Sequence, residues 1–165
     1  MTLYRPNVGI ALFNASGHVL AARRTGDDGP EIILPGHEWQ MPQGGIDPGE
    51  EPETAARREL WEETGVRSAA MLAVAPDWVS YDFPPYGGPP HRLARFAGQR
   101  QLWFAMRFEG RDEEIDVTRA QPGEVPEFTE WRWSSLETLA ADVVPFRRPV
   151  YRAVADLFAP FARPR

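Results

Sequence analysis

Three glutamates, Glu59, Glu62 and Glu63, stand at positions i, i+3 and i+4 of the stretch Glu53–Thr64. In a helix each residue turns by about 100°, so Glu62 falls about 60° to one side of Glu59 and Glu63 about 40° to the other. The three carboxylates then leave the helix within an arc of about 100°. Like charges at these spacings destabilise a bare helix, and a hard divalent cation is the simplest compensation. Oxygen donors with no Cys or His nearby suit Mg²⁺ or Mn²⁺ better than zinc. A solvated acidic helix face would show the same spacing, so the surroundings decide. Seven acids between Asp47 and Glu63 face only Arg57 and Arg58. Gly44-Gly45 lies just upstream, where backbone can approach a ligand closely. Arg58 can reach back to a loop acid such as Glu50, and Gly65 ends the helix directly after the last acid.

The elements that must hold these residues follow from local pattern. Glu53–Thr64 starts after Pro52, carries Ala55, Ala56 and Leu60, and stops at Gly65, which predicts a helix. Val8–Phe13 and His18–Ala22 flank Asn14-Ala15-Ser16-Gly17 and read as a hairpin. Gly26–Gly36 reads as a loop, Trp39–Met41 as a short strand and Pro42–Gly49 as a Gly-rich loop. Met71–Val74, Trp78–Phe83, Leu102–Phe108 and Phe128–Trp133 are further strands, and Leu136–Val143 and Pro149–Phe158 are helices. Pro84–Gly98, rich in Pro, Gly and Arg, is a long loop of the kind that usually serves function. Hairpins exclude an all-parallel sheet, so the expected fold is α/β, a mixed sheet covered by helices, in one domain over residues 1–165.

Composition narrows the chemistry. The chain has 165 residues and no Cys, which excludes disulfides, thiolate zinc sites, iron–sulfur clusters and cysteine nucleophiles. Its 18 basic residues are all Arg, so no lysine Schiff base or P-loop lysine exists. A formal charge of −6 excludes a generally basic nucleic-acid coat but not a local basic groove. Four Arg and no acid fall between Arg92 and Arg107, and five Arg against Asp156 alone between Arg147 and Arg165. Met1–Val8 lacks the apolar core of a signal peptide, and no stretch is long and apolar enough to span a membrane. The expectation is a cytoplasmic protein with neither membrane nor DNA as a partner. The histidines His18, His37 and His91 do not cluster in sequence and receive no role.

Gly44, five residues, Glu50, seven residues, then Arg58-Glu59-Leu60-Trp61-Glu62-Glu63-Thr64-Gly65-Val66 resembles a complete Nudix box, with every fixed position filled. The resemblance extends from Tyr4 to Phe158. Tyr4–Gly9, Trp39–Gly45, Val79–Asp82, Gly98–Phe104, Glu127–Trp133 and Val144–Tyr151 are similar to one branch of Nudix hydrolases. That branch holds bacterial RNA 5′-pyrophosphohydrolases and diadenosine polyphosphate hydrolases. The chain departs from it by a longer loop between Arg24 and Trp39, by Arg147 where Lys is usual, and by Gly87-Gly88 in place of a more basic stretch.

The resemblance implies an α/β/α sandwich with a loop–helix–loop metal site. It implies Glu59, Glu62 and Glu63 as ligands of Mg²⁺ or Mn²⁺, backbone oxygen from the Gly44 region, and a motif-locking ion pair between Glu50 and Arg58. Glu127 is an extra ligand or the general base, with Glu63 the other candidate for the base. Arg5, Arg24 and Arg147 would hold phosphates, since a guanidinium can grip them bidentately. Phe146 and Tyr81 would stack on a base. The expected reaction is metal-dependent removal of pyrophosphate, or of phosphate stepwise, from the 5′-triphosphate end of RNA, leaving a monophosphate and promoting mRNA decay. The alternatives are hydrolysis of a dinucleoside polyphosphate such as diadenosine tetraphosphate, and a non-catalytic Nudix module that binds nucleotide or RNA.

Overall fold

The computed structural model describes residues 3–120 and 122–165. Met1 and Thr2, which open the segment read for a targeting signal, and Gln121 lie outside the described residues. The chain runs β1 (Tyr4–Phe13), β2 (Val19–Arg24), β3 (Trp39–Gln40), β4 (Gln43–Gly45), α1 (Pro52–Thr64), β5 (Ala69–Val74), β6 (Val79–Asp82), β7 (Gly98–Phe108), β8 (Phe128–Ser134), α2 (Leu136–Asp142) and α3 (Arg148–Leu157). The strands form one mixed sheet, with β3-β2-β1-β7-β5 side by side, β4 on β1, β6 on β7 and β8 on β2. β1 and β7 run parallel from Tyr4 opposite Gly98 to Phe13 opposite Arg107, and the other pairs are antiparallel.

Period-2 alternation sorts the strand residues onto two faces. Val8, Ile10 and Leu12 of β1, Leu20 and Ala22 of β2, and Phe104 and Met106 of β7 pack with Ala55, Ala56 and Leu60 of α1. Ala11 and Phe13, Val19 and Ala21, and Trp103 and Ala105 pack on the opposite side with Leu136 and Leu139 of α2 and Val150, Tyr151 and Val154 of α3. The result is the α/β/α sandwich, with α1 alone on one face.

Two expectations need correction. The Gly-rich stretch Pro42–Gly49 is not all loop. Gln43, Gly44 and Gly45 form β4, paired with Gly9, Val8 and Asn7 of β1. Glycine is depleted in strands for want of a side chain to pack, which hid this one. The long strand β7 begins at Gly98 rather than Leu102, because its first residues carry buried Gln99 and Gln101 rather than an apolar run.

Candidate active site

α1 begins with Pro52 at its first position, where the missing N–H is no loss. It ends at Gly65, whose φ of 75° is left-handed and whose N–H reaches Trp61 O at 2.8 Å. Its acids and Arg58 face the β4 loop. Arg58 donates from Nε to Glu50 Oε2 and from Nη2 to Glu50 Oε1, both at 2.9 Å, a bidentate pair. The same guanidinium reaches Gly45 O at 2.8 Å, Glu59 Oε1 at 2.9 Å and Glu62 Oε2 at 3.2 Å. One cation thus ties the loop to the helix and partly neutralises two acids. Arg58 first, then the Asp47 N–H, holds the Glu50 carboxyl down at about 2. We expect Glu50→Gln to lower stability by about 1.5–3 kcal/mol in urea unfolding, the usual range for hydrogen bonds to a charged group. A depressed carboxylate contributes above its unfolded pKa and loses that contribution as pH falls through its folded one. The gap between variant and wild type should therefore close as pH drops from about 4.3 towards 2.

The three helix carboxylates do not converge on one point. Glu59 and Glu62 lean to Arg58, and Glu63 Oε2 accepts from Gln43 N at 3.2 Å. Among the described residues no three acidic, His or Cys side chains are arranged as a metal-holding group. Like charges repel, and each carboxylate leans towards the nearest donor. The strain remains visible. Burial, together with repulsion from Glu62 and Glu127 and against the pull of Arg58, pushes Glu59 up to about 7. Burial, then Glu127 and Glu59, raises Glu63 well above the carboxylate range. At Gly44 a Cβ would lie 1.9 Å from the Glu59 carboxyl carbon, so only glycine leaves this cradle open. Hard oxygen donors, repelling one another beside a bare glycine backbone, fit a divalent cation. Glu59, Glu63 and Gly44 O are the donors that could hold it, with Glu62 joining them only by turning from Arg58.

Glu59, Glu63 and Glu127 stand between two cavities. The larger, about 480 Å³, is also lined by Glu62, Trp61 and Arg119. The smaller, about 150 Å³, is walled by Arg5, Arg24, Arg92 and Arg147 opposite the acids. Arg5 lies across Gly45, where a Cβ would be 2.2 Å from its Nη2. Arg24, 5% exposed, donates from Nη2 to Glu31 O at 2.8 Å, while among the described residues its Nε and Nη1 have no partner. Arg147 is also buried. Its Nη1 and Nη2 are taken by Gln40 and Glu31, and among the described residues its Nε has no partner. Arg147, expected to hold phosphate, lines the cavity with its charge already met by Glu31.

Tyr81 is corrected more fully. Its ring is buried against Phe83, Phe146 and Arg147, and its hydroxyl donates to Glu31 and accepts from Gln99 Nε2 at 2.9 Å. No face is left for a base. Phe146 is half-buried, with its ring centroid 5.7 Å from that of Tyr81. Sequence reasoning missed Glu31 altogether, along with the clasp made by Asp28. The Asp28 carboxylate meets His91 Nε2 and Arg92 Nη2, each at 2.8 Å, and joins the loop after β2 to the loop before β7. No periodicity marks either residue. The only signal was an acid-bearing loop too long to be a simple connection.

The model of the NUDIX domain matches residues 3–154. The chain is 49% identical over 160 residues to an RNA pyrophosphohydrolase of Rhodopseudomonas palustris (strain BisB18), covering 97% of this chain and 90% of that one. It is 51% identical over 160 residues to an RNA pyrophosphohydrolase of Bradyrhizobium sp. (strain ORS 278), covering 96% and 94%. Among solved structures it resembles a C. elegans Ap4A hydrolase in a binary complex, with TM-score 0.63 and 16% identity over 94% of this chain and 98% of that one. It also resembles a MutT protein from Methanosarcina mazei Go1, with TM-score 0.63 and 18% identity over 94% and 96%. At such identities these two share the fold alone. Nudix hydrolases need divalent metal ions, which agrees with the donor set on α1. Among the described residues no helix is long and apolar enough to cross a membrane. With its box intact on α1 and its length matched almost throughout, the chain belongs to the Nudix hydrolase family.

Proposed function

We propose that the protein is an RNA 5′-pyrophosphohydrolase, acting as a single domain over residues 1–165. It removes pyrophosphate, or phosphate stepwise, from a 5′-triphosphate end. The observation that supports the chemistry is the meeting of Glu59, Glu63 and Glu127 with Arg5 and Arg24 in one cavity. The RNA substrate is inferred from similarity to relatives named for it.

Hydrolysis of a phosphoanhydride asks mainly for positioning and charge neutralisation. Arg5 and Arg24, which line the cavity, bind phosphate oxygens through their guanidinium groups. Glu59, Glu62, Glu63 and Gly44 O would hold a divalent cation, Mg²⁺ with Mn²⁺ as substitute. Such an ion, when bound, neutralises phosphate charge and makes water more acidic. Glu127 takes the proton from the attacking water. Among the described residues its carboxylate has no hydrogen-bond partner, whereas Glu63 is engaged by Gln43 N. Phe146, partly accessible beside the basic cavity, offers a ring edge or face to the first base.

Purified protein with Mg²⁺ should release label from γ-labelled triphosphorylated RNA, faster than it cleaves diadenosine tetraphosphate at equal concentration, and a chelator should abolish both. Cleavage of the dinucleotide with no release from RNA would replace this reading by the dinucleoside polyphosphate one. Binding of either substrate without turnover would favour a non-catalytic module.

A further inference from the structure

Glu31 belongs to the loop between β2 and β3, outside the Nudix box, yet it is 3% exposed. A buried carboxylate is costly unless its charge is met. Here Tyr81 OH, Gln99 Nε2 and Arg147 Nη2 all donate to it. Burial alone would raise its pKa, but Arg147, Tyr81 and Arg24 more than offset that and keep it ionised. Its backbone carbonyl meanwhile accepts from Arg24 Nη2 at 2.8 Å. The residue is itself fixed, since Glu31 and Asp28 exchange backbone hydrogen bonds of 3.0 and 3.1 Å, and Asp27 Oδ1 accepts from Ile33 N at 2.8 Å. One loop residue therefore grips two buried guanidinium groups at once, one through its carboxylate and one through its carbonyl. Both arginines line the cavity shared with Glu59, Glu63 and Glu127, and each has buried N–H groups without a partner among the described residues: Nε and Nη1 of Arg24, and Nε of Arg147.

We infer that Glu31 is a positioning residue that sets Arg24 and Arg147 in the geometry that receives the substrate's polyphosphate. The inference rests on the reading of the basic cavity as the phosphate site. Arginine loses much side-chain freedom when it grips an anion, so an arginine already held binds more tightly than one that must first be ordered. Two opposed effects make the idea decidable by sign. By charge alone, removing a buried anion from the cavity wall would tighten the binding of any polyphosphate. By positioning, it must weaken it.

The experiment is calorimetric titration of wild type and Glu31→Gln with a non-hydrolysable methylene-bridged nucleoside triphosphate and Mg²⁺, alongside steady-state kinetics on triphosphorylated RNA. We expect Kd and KM to rise by about tenfold or more, the scale of a small misplacement, with kcat within about threefold. Unchanged or tighter binding overturns the inference. A loss of binding stoichiometry and kcat at unchanged Kd also overturns it, since that is what a merely structural role gives. Tyr81→Phe removes one support of the carboxylate without changing charge or touching the cavity. It should shift Kd in the same direction by a smaller factor, and it decides the question if Glu31→Gln does not fold. Wild type that binds the analogue but never turns over RNA would defeat the proposed reaction and leave the Glu31 comparison readable.

Discussion

Glu63→Gln should lower kcat on triphosphorylated RNA by about 10³-fold, the order expected when a site loses a cation-holding carboxylate that is also a candidate base. The substitution keeps shape and can still accept from Gln43 N, so the loss is one of charge. Stability should move the other way in the absence of metal. Glu63 and Glu59 have raised pKa values, so above about 4.3 the folded form binds more protons than the unfolded one. Stability then falls as pH rises through that window. The glutamine has no proton to surrender, so in chelator the variant's thermal midpoint should fall less than the wild type's between pH 5 and 7. Added Mg²⁺ should raise the wild-type midpoint more than the variant's. A variant with the wild-type rate and the wild-type Mg²⁺ response would remove Glu63 from the site.

Gly44→Ala should cost about 10²-fold in kcat, the scale of an ångström-sized displacement of a reacting group. Its new Cβ would stand 1.9 Å from the Glu59 carboxyl carbon and 2.1 Å from Oε2. The obstacle is the end of a flexible side chain, and the Gly44 backbone is not left-handed, so the carboxylate swings aside and the fold survives. Gly45→Ala makes the instructive contrast. There the blocked group is Arg5, 2.2 Å from the new Cβ, so KM should rise more than kcat falls. Equal kinetic defects in both variants, or a thermal midpoint that collapses with Gly44→Ala, would contradict this division between the cation cradle and the phosphate wall.

The helix that carries the acids was legible because its punctuation is local: Pro52 starts it and Gly65 stops it. β1, β2 and the second half of β7 were legible as apolar runs, as expected of strands covered on both faces. What escaped was non-local. β4 is three residues, two of them glycine, and exists only because Asn7–Gly9 runs beside it. Tyr81 sits in a half-apolar strand, and nothing near it tells that Phe146 and Arg147 arrive later to cover its ring. Arg147 looks like any basic residue of a charged segment until Glu31, 116 positions earlier, is brought against it. Buried ion pairs of this kind leave no periodic trace, so residue type suggested the cavity's cations without showing which of them had already been matched.

The Asp28 bridge to His91 and Arg92 binds two long loops together at a chamber of only about 150 Å³. Ligand pockets usually run to roughly 300–1,000 Å³, so a chamber of this size suits a polyphosphate better than a whole nucleotide. In the proposed reaction a transcript presents its extremity there and leaves its body outside. Turnover should then be indifferent to how far the strand continues, and a circularised molecule, having no terminus to offer, should pass by untouched.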